Sequence, residues 1–266
     1  MFLFSSALSW PLLNQNCMDP RIPYISGSEI LFCDNEGRST QIFNPQSGQV
    51  EQFDVSVLWF SSEYVWSAGI EGGLKPRKSE SDDINFRHRL FFEPQGGPVF
   101  FKDEALVVQG SDVVWNKKNV GHRNSQAHAK SWEHPVLNEC GAFWIDKQER
   151  IVWWKRDGSV EMSSFKNHPR SLVGDTHWVG WAEDEYVWLW DCESGQNYSW
   201  NSRAIDRVTL NNGILCWSFW TGFDADIQCS NDVVLKLEGD QLWPSLGNGW
   251  LIFRDHQGIR GVELEQ

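Results

Sequence analysis

The sequence lacks the patterns that mark helical, membrane-spanning and nucleotide-binding proteins. No long segment places apolar residues at i, i+3, i+4 and i+7, so a helical fold is not indicated. The longest apolar runs are far shorter than the roughly 20 residues that a membrane helix needs. The motifs GxSxG, GxxxxGK[ST], GxGxxG and HExxH are all absent. We therefore expect no cofactor and no resident metal, and the sequence favours a non-catalytic protein.

Basic residues are also scarce. The chain has 23 Lys and Arg against 36 Asp and Glu, which gives a formal net charge of −13 and a pI of about 4.9. A strongly negative field repels nucleic acids and anionic membranes. We therefore expect the protein to bind neither of them. The same field favours solubility and the approach of a basic partner.

The cysteines show no CxxC motif and no closely spaced pair. They are Cys17, Cys33, Cys140, Cys192, Cys216 and Cys229. Three of them lie in or beside apolar runs, where a free thiol behaves as a small hydrophobe. An even number permits disulfides, but a chain of 266 residues does not require them. The sequence predicts reduced cysteines in a cytoplasmic protein.

The N-terminal stretch MFLFSSALSWPLLNQN has an apolar run of the length found in signal peptides. It contains no Lys or Arg, and the first basic residue is Arg21. A signal peptide normally begins with a positively charged region. The stretch is therefore predicted to be an ordinary β-strand that enters the fold.

Tryptophan, by contrast, is abundant, with 17 residues, and many of them lie in short apolar runs that recur along the chain. Each run is followed by a polar turn that usually contains Gly. The runs can be aligned on Ile30, Tyr64, Ala105, Ile151, Tyr186, Ile214 and Trp250, with steps of 34, 41, 46, 35, 28 and 36 residues. A spacing near 40 with several strands in each unit is typical of a propeller blade.

The unit ISGSEILFCDNEGRSTQIFNPQSGQVEQF, from Ile25 to Phe53, resembles a WD-like or quinoprotein-type blade of the β-propeller superfold. No named repeat family fits the whole chain. The resemblance implies an all-β fold: a single β-propeller domain over residues 1–266, with about seven four-stranded blades. Six blades are the alternative, because one step is short. The N-terminal FLFSSALSW is expected to close the ring by completing the last blade.

The segment DEYVWLWDCESG, from Asp184 to Gly195, has no polar face. A blade covered on both sides by its neighbours explains such a run. Alternation then directs Tyr186, Trp188 and Trp190 to one neighbouring sheet, and Val187 and Leu189 to the other. Packing is therefore the main role predicted for the tryptophans.

Two loops interrupt the regular spacing, and function often lies in such insertions. In the loop Asn116–His134, the part from Asn116 to Lys130 has four basic residues and no acidic residue. The chain outside this part therefore carries a formal charge of −17. The binding residues predicted in the loop are Lys117, Lys118, Arg123, Lys130 and Trp132. The loop Gly72–Leu90 adds Arg77, Lys78, Arg87 and Arg89 as a second set. The spacing of His122, His128 and His134 is too wide to indicate zinc.

These features favour a protein–protein interaction or scaffold module that binds another protein through its rim loops. The alternative is a carbohydrate-binding propeller, because His177–Trp188 combines tryptophans with Glu183, Asp184 and Glu185. A propeller glycoside hydrolase is the third hypothesis. It requires two carboxylates about 5 to 10 Å apart in a pocket, and the sequence singles out no such pair.

Overall fold

The computed structural model describes residues 3–4, 8–9, 24–26, 29–33, 40–53, 57–60, 64–67, 73–76, 99–102, 104–109, 112–115, 118–119, 135–162, 168–256 and 258–264. All regular elements in these ranges are β-strands. No helix in the described part of the chain is long and apolar enough to cross a membrane. The all-β prediction is confirmed.

The strands are short and follow one another closely. The first fourteen are β1 (Leu3–Phe4), β2 (Leu8–Ser9), β3 (Tyr24–Ser26), β4 (Glu29–Cys33), β5 (Thr40–Phe43), β6 (Val50–Phe53), β7 (Val57–Phe60), β8 (Tyr64–Ser67), β9 (Gly73–Pro76), β10 (Val99–Phe101), β11 (Glu104–Gln109), β12 (Asp112–Trp115), β13 (Lys118–Asn119) and β14 (Val136–Asn138). The others are β15 (Gly141–Ile145), β16 (Ile151–Lys155), β17 (Val160–Met162), β18 (Arg170–Asp175), β19 (Trp178–Ala182), β20 (Val187–Asp191), β21 (Asn197–Trp200), β22 (Ala204–Asn211), β23 (Ile214–Trp220), β24 (Ala225–Cys229), β25 (Val234–Leu235), β26 (Leu242–Gly247), β27 (Trp250–Asp255) and β28 (Gly258–Glu263).

The chain forms two compact units. The first comprises residues 1–94, 221–228 and 232–266. Its antiparallel sheets are β3–β6, β7–β9, and β26–β28 with β2 as a fourth strand. It also contains the antiparallel pair β24–β25, and β1 pairs in parallel with β25. A small core of Ile25, Ile30 and Ile252 lies within this unit. The single domain predicted for residues 1–266 stays a prediction.

The second unit comprises residues 95–220 and 229–231. It contains three four-stranded antiparallel sheets, β10–β13, β14–β17 and β18–β21, followed by the hairpin β22–β23. Four-stranded antiparallel sheets in sequence order are what the propeller hypothesis requires.

The N-terminal residues take part in sheet pairing. Leu8 and Ser9 pair with Gly261 and Arg260, so β2 supplies the fourth strand of the last sheet. The prediction for FLFSSALSW is confirmed for Leu8 and Ser9, whereas Leu3 and Phe4 of the same segment pair with β25 in another sheet. The number of blades and the closure of the ring stay predictions.

The repeat is more regular than the sequence alignment indicated. The second strands along the chain, β4, β8, β11, β15, β19, β23 and β27, begin at residues 29, 64, 104, 141, 178, 214 and 250, which are 35, 40, 37, 37, 36 and 36 residues apart. Ile151 begins β16 and Tyr186 precedes β20, and these strands are the third of their sheets, not the second. These two alignment anchors were therefore wrong, because second and third strands are equally apolar. The short step of 28 residues, which suggested six blades, came from this error.

The two faces of β20 pack as alternation predicts. Val187 and Leu189 belong to a buried cluster with residues of the hairpin β22–β23, among them Leu215 and Trp217. Trp188 and Trp190 belong to the cluster on the other side, which also contains Phe143 and Trp153. Most of the apolar surface in DEYVWLWDCESG is therefore used for packing between consecutive sheets, although Tyr186 itself stays exposed.

The prediction of reduced cysteines is wrong for the four cysteines of the second unit. Cys140, in the turn between β14 and β15, is disulfide-bonded to Cys192, in the turn after β20. Cys216 in β23 is bonded to Cys229. The partners are 52 and 13 residues apart in sequence, so only the folded sheets reveal that they meet.

Candidate functional site

A groove lies between the sheets β14–β17 and β18–β21 of the second unit, where β17 and β21 are the last strands of their sheets. It contains a half-open cavity of about 270 Å³. Its lining residues are Ile151, Trp153, Glu161, Met162, Val179, Trp181, Trp190 and Asn197. The volume is close to the lower end of the roughly 300–1,000 Å³ typical of small-molecule sites, so it suits a side chain better than a large cofactor.

The strand registers place these residues on facing sides of the groove. Trp153 of β16 pairs with Glu161 of β17, and Trp190 of β20 pairs with Asn197 of β21. Directly paired residues project from the same face of a sheet. Each sheet therefore contributes a tryptophan to the groove and, beside it, a polar residue of its exposed last strand.

The aromatic walls are fixed by contacts between rings. Trp153 stacks on Phe143, with centroids 5.6 Å apart and planes 12° from parallel. The edge of Trp190 meets Trp153 at 4.9 Å and 81°. The Trp153 Nε1–H donates a hydrogen bond of 3.0 Å to the carbonyl oxygen of Cys140. The orientation of the Trp153 ring is therefore set by three neighbours before any ligand arrives.

Polar and flexible groups surround these rings. The Lys155 ammonium lies 4.3 Å from the centroid of Trp153 and forms an ion pair with Glu161. The side chain of Glu161 is 59% exposed, and Asn197 is exposed on the facing side of the groove. Met162 borders the groove, but it pairs with Val152, so its side chain projects from the other face of the sheet. The groove can thus combine apolar contact with the recognition of charge.

Two hydrogen-bonded turns support the groove. Asp157, in the turn after β16, has a pKa below its usual range because the Ser159 hydroxyl and backbone N–H both donate to its carboxylate. Burial alone raises the pKa of Asp191, but donation from the Ser194 hydroxyl and from the backbone N–H groups of Glu193 and Ser194 lowers it overall. Both carboxylates are ionised at neutral pH, and both fix turns that bound the two sheets.

The binding residues predicted from the sequence are almost all outside the described residues. This applies to Lys117, Arg123, Lys130, Trp132, Arg77, Lys78, Arg87 and Arg89. Lys118 begins β13, and its backbone pairs with Trp115. His122, His128 and His134 also fall outside. Among the residues that are described, no group of three or more His, Cys, Asp or Glu could hold a metal ion.

The predicted sugar-binding segment uses its main groups internally. Trp181 is 2% exposed, and its Nε1–H donates to Glu183, which is equally buried. Trp178 contacts His177 and Tyr198. Asp184 and Glu185 are exposed, and the remaining tryptophan of the segment, Trp188, stacks on Trp181. The paired Trp and carboxylate that suggested a sugar site are therefore a buried hydrogen bond.

Sequence reasoning missed the groove. Trp153 and Glu161 come from RIVWWKRDGSVEM, where packing is the predicted role of the tryptophans as in the other apolar runs. Their partner Trp190 comes from the next unit. An available signal was the run Trp153-Trp154-Lys155, in which an aromatic and a cation lie two positions apart and so share one face of a strand.

No known protein family and no curated protein matches the chain. Two solved structures are similar to it in fold. A chain in the crystal structure of a mitotic checkpoint complex matches with a TM-score of 0.57 and 9% identity, over 98% of this chain and 92% of that one. PorZ, an essential surface component of the type-IX secretion system of Porphyromonas gingivalis, matches with a TM-score of 0.52 and 11% identity, over 91% of this chain and 36% of PorZ. Together with the repeated four-stranded sheets, these likenesses show an all-β fold of the β-propeller class.

Proposed function

We propose that the chain is a non-catalytic protein-interaction module that binds its partner through the groove between β14–β17 and β18–β21. The observation that carries this proposal is an aromatic cavity bounded by two edge strands, from which Glu161 and Asn197 project beside the rings. Protein interfaces are enriched in Trp, Met and other large side chains that fill well-packed pockets. Because the ring positions are fixed in advance, little ordering is required when a partner side chain enters.

The similar structures support the same general role. One is a chain of a checkpoint complex, and the other is a surface component of a secretion system. Both descriptions refer to proteins that work within assemblies. A propeller-type fold suits such work, because its rigid strands hold connecting loops and strand edges in fixed positions.

The basic loop Asn116–His134 is a second candidate contact. The four cations of its Asn116–Lys130 part contrast with the −17 carried by the rest of the chain, so it suits an acidic surface of a partner. The loops Gly72–Leu90 and Asn116–His134 would then contact the same partner in addition to the groove.

Neither alternative gains support within the described residues. Among the groove-lining residues the carboxylate is Glu161 alone, whereas a glycoside hydrolase uses a pair. Trp181 is buried, and the ring of Trp153 holds the Lys155 ammonium, which another cation replaces better than a neutral sugar does. Protein contact is therefore the function that the groove fits best.

The disulfides bear on where the protein works. Disulfides persist in oxidising compartments and are rare in the cytosol. The two disulfides of the second unit therefore favour an extracytoplasmic location over the cytoplasmic one predicted from the sequence.

A co-purification experiment with three variants tests the interaction proposal. Asn197→Arg places a long cation in the groove, because Asn197 pairs with Trp190 and projects from the same face. Gln52→Arg makes a similar change at an exposed amide of another edge strand, β6. The third variant changes Lys117, Lys118, Arg123 and Lys130 to Glu. We expect a defined set of partners with wild type and Gln52→Arg, and its loss with Asn197→Arg.

The loop variant separates the two contact regions. If it alone loses the partners, the basic loop is the main docking site and the groove is not. Equal capture by wild type and Asn197→Arg would contradict the groove proposal. Folding of every variant is checked by near-UV circular dichroism, which is sensitive to the tryptophan packing.

A further inference from the structure

We propose that the groove receives a cationic side chain, Arg or Lys, from a basic segment of the partner, and that Lys155 holds this position until the partner binds. The inference rests on the proposed function, because it names the chemistry of the segment that enters the same groove. It also predicts that the chain's own lysine competes with its ligand.

The first support is that the site already binds an ammonium group. Lys155 Nζ lies 4.3 Å from the Trp153 centroid, within the distance at which a cation is attracted to an aromatic face. The same ammonium forms an ion pair with Glu161. One aromatic face and one carboxylate thus converge on a single cation, which is the arrangement that a basic partner side chain would need.

The second support is that Lys155 can be displaced. It is the last residue of β16, its side chain is 27% exposed, and its partner Glu161 is more exposed still. Exposed ion pairs contribute little to stability, because water solvates both charges well. Lys155 can therefore move into solvent when a better-fitting cation arrives, and Trp153 and Glu161 stay in place.

The third support is the fit of the ligand to the groove. Trp153 is held by Phe143, Trp190 and the Cys140 carbonyl, so its face is presented in a fixed orientation. A guanidinium group is planar, stacks on aromatic rings and forms paired hydrogen bonds with a carboxylate. Arg is therefore expected to bind better than Lys, and the net charge of −13 attracts a basic segment and repels an acidic one.

The probe is the peptide acetyl-(Gly-Arg)4-amide, with acetyl-(Gly-citrulline)4-amide as a neutral control of nearly the same shape. Binding is measured by calorimetry and by the shift of the Trp153 indole NMR signal. We expect the Arg peptide to bind and to move that signal, and the citrulline peptide to do neither.

Three variants separate the groove from the general negative field. Lys155→Met removes the competitor and should tighten binding about fivefold, since a displaced surface cation–π contact is of that size. Lys147→Met makes the same charge change at an exposed residue of the β15–β16 turn and should alter affinity less than about twofold. Glu161→Gln should weaken binding about fivefold.

Equal affinities for Lys155→Met and Lys147→Met, or equal binding of the two peptides, would overturn the proposal. The failure of this inference and that of the proposed function are distinguishable. If Asn197→Arg abolishes partner capture while the Arg peptide does not bind, the groove is a docking site for a different chemistry. If the peptide binds as expected and Asn197→Arg captures normally, the cation site exists but does not recruit the partner.

Discussion

Replacing Cys140 and Cys192 by serine should lower the free energy of unfolding by about 4 kcal/mol. The bond closes a sequence separation of 52 residues, and a crosslink over such a span restricts the unfolded chain strongly. It also joins two consecutive sheets at the border of the Trp cluster, since both cysteines contact the cluster that contains Trp153 and Trp190. The measurement is urea unfolding under non-reducing conditions, followed by tryptophan fluorescence.

The second disulfide provides the comparison. Cys216→Ser with Cys229→Ser removes a closure of 13 residues, for which the same loop-entropy argument gives about 3 kcal/mol. Peptide mapping after alkylation without reductant should find no free thiol at the four positions. Alkylation of all four in the native protein, or an unchanged urea midpoint in the first variant, would contradict the disulfide assignment.

Asp146→Ala should cost about 3 kcal/mol of stability. Asp146 is fully buried in the turn between β15 and β16. Its Oδ1 accepts the backbone N–H groups of Gln148 and Arg150 at 2.9 and 2.8 Å, and its Oδ2 accepts Arg150 Nε and Nη2 at 2.8 and 2.6 Å. Removing the carboxylate leaves several donors without an acceptor. The Arg150 guanidinium is partly exposed, so water solvates it in the variant. The expected loss of stability therefore lies at the lower end of the range for broken buried ion pairs.

Two further variants test the physical cause of that loss. Asp157→Ala removes a carboxylate with a similar local role in the next turn, where it accepts from Ser159, but the side chain is exposed and the loss should be much smaller. Asp146→Asn keeps one acceptor oxygen for the backbone and places an amide group against the guanidinium, so it should lie between wild type and Asp146→Ala. If the two alanine variants lose equal stability, burial is not the cause.

The fold was largely predictable because its signals are local. Polar, Gly-containing turns and apolar runs predict strands, and alternation along β20 correctly assigned Val187 and Leu189 to one side and Trp188 and Trp190 to the other. The alignment failed where two adjacent strands were equally apolar, as with β15 and β16. Burial on both faces removes the alternation that would have told a second strand from a third.

The site was not predictable to the same extent, because it depends on pairings across sheets. Trp153 and Trp190 meet although 37 positions separate them in the sequence, and nothing local distinguishes them from the buried Trp181. Charge patterning directed attention to the loop of Lys117 and Arg123 instead. The cysteines show the same limitation, since strand pairing and sheet packing decide which of them meet.

The most direct test of the groove as the binding site is photo-crosslinking in cells from a benzoylphenylalanine placed at residue 197, which projects into the groove. The same group at residue 52, on another edge strand, is the control. We expect a crosslink to one defined protein from position 197 and none from position 52. Crosslinks that are absent from position 197, or identical at the two positions, would contradict a partner-binding groove between β14–β17 and β18–β21.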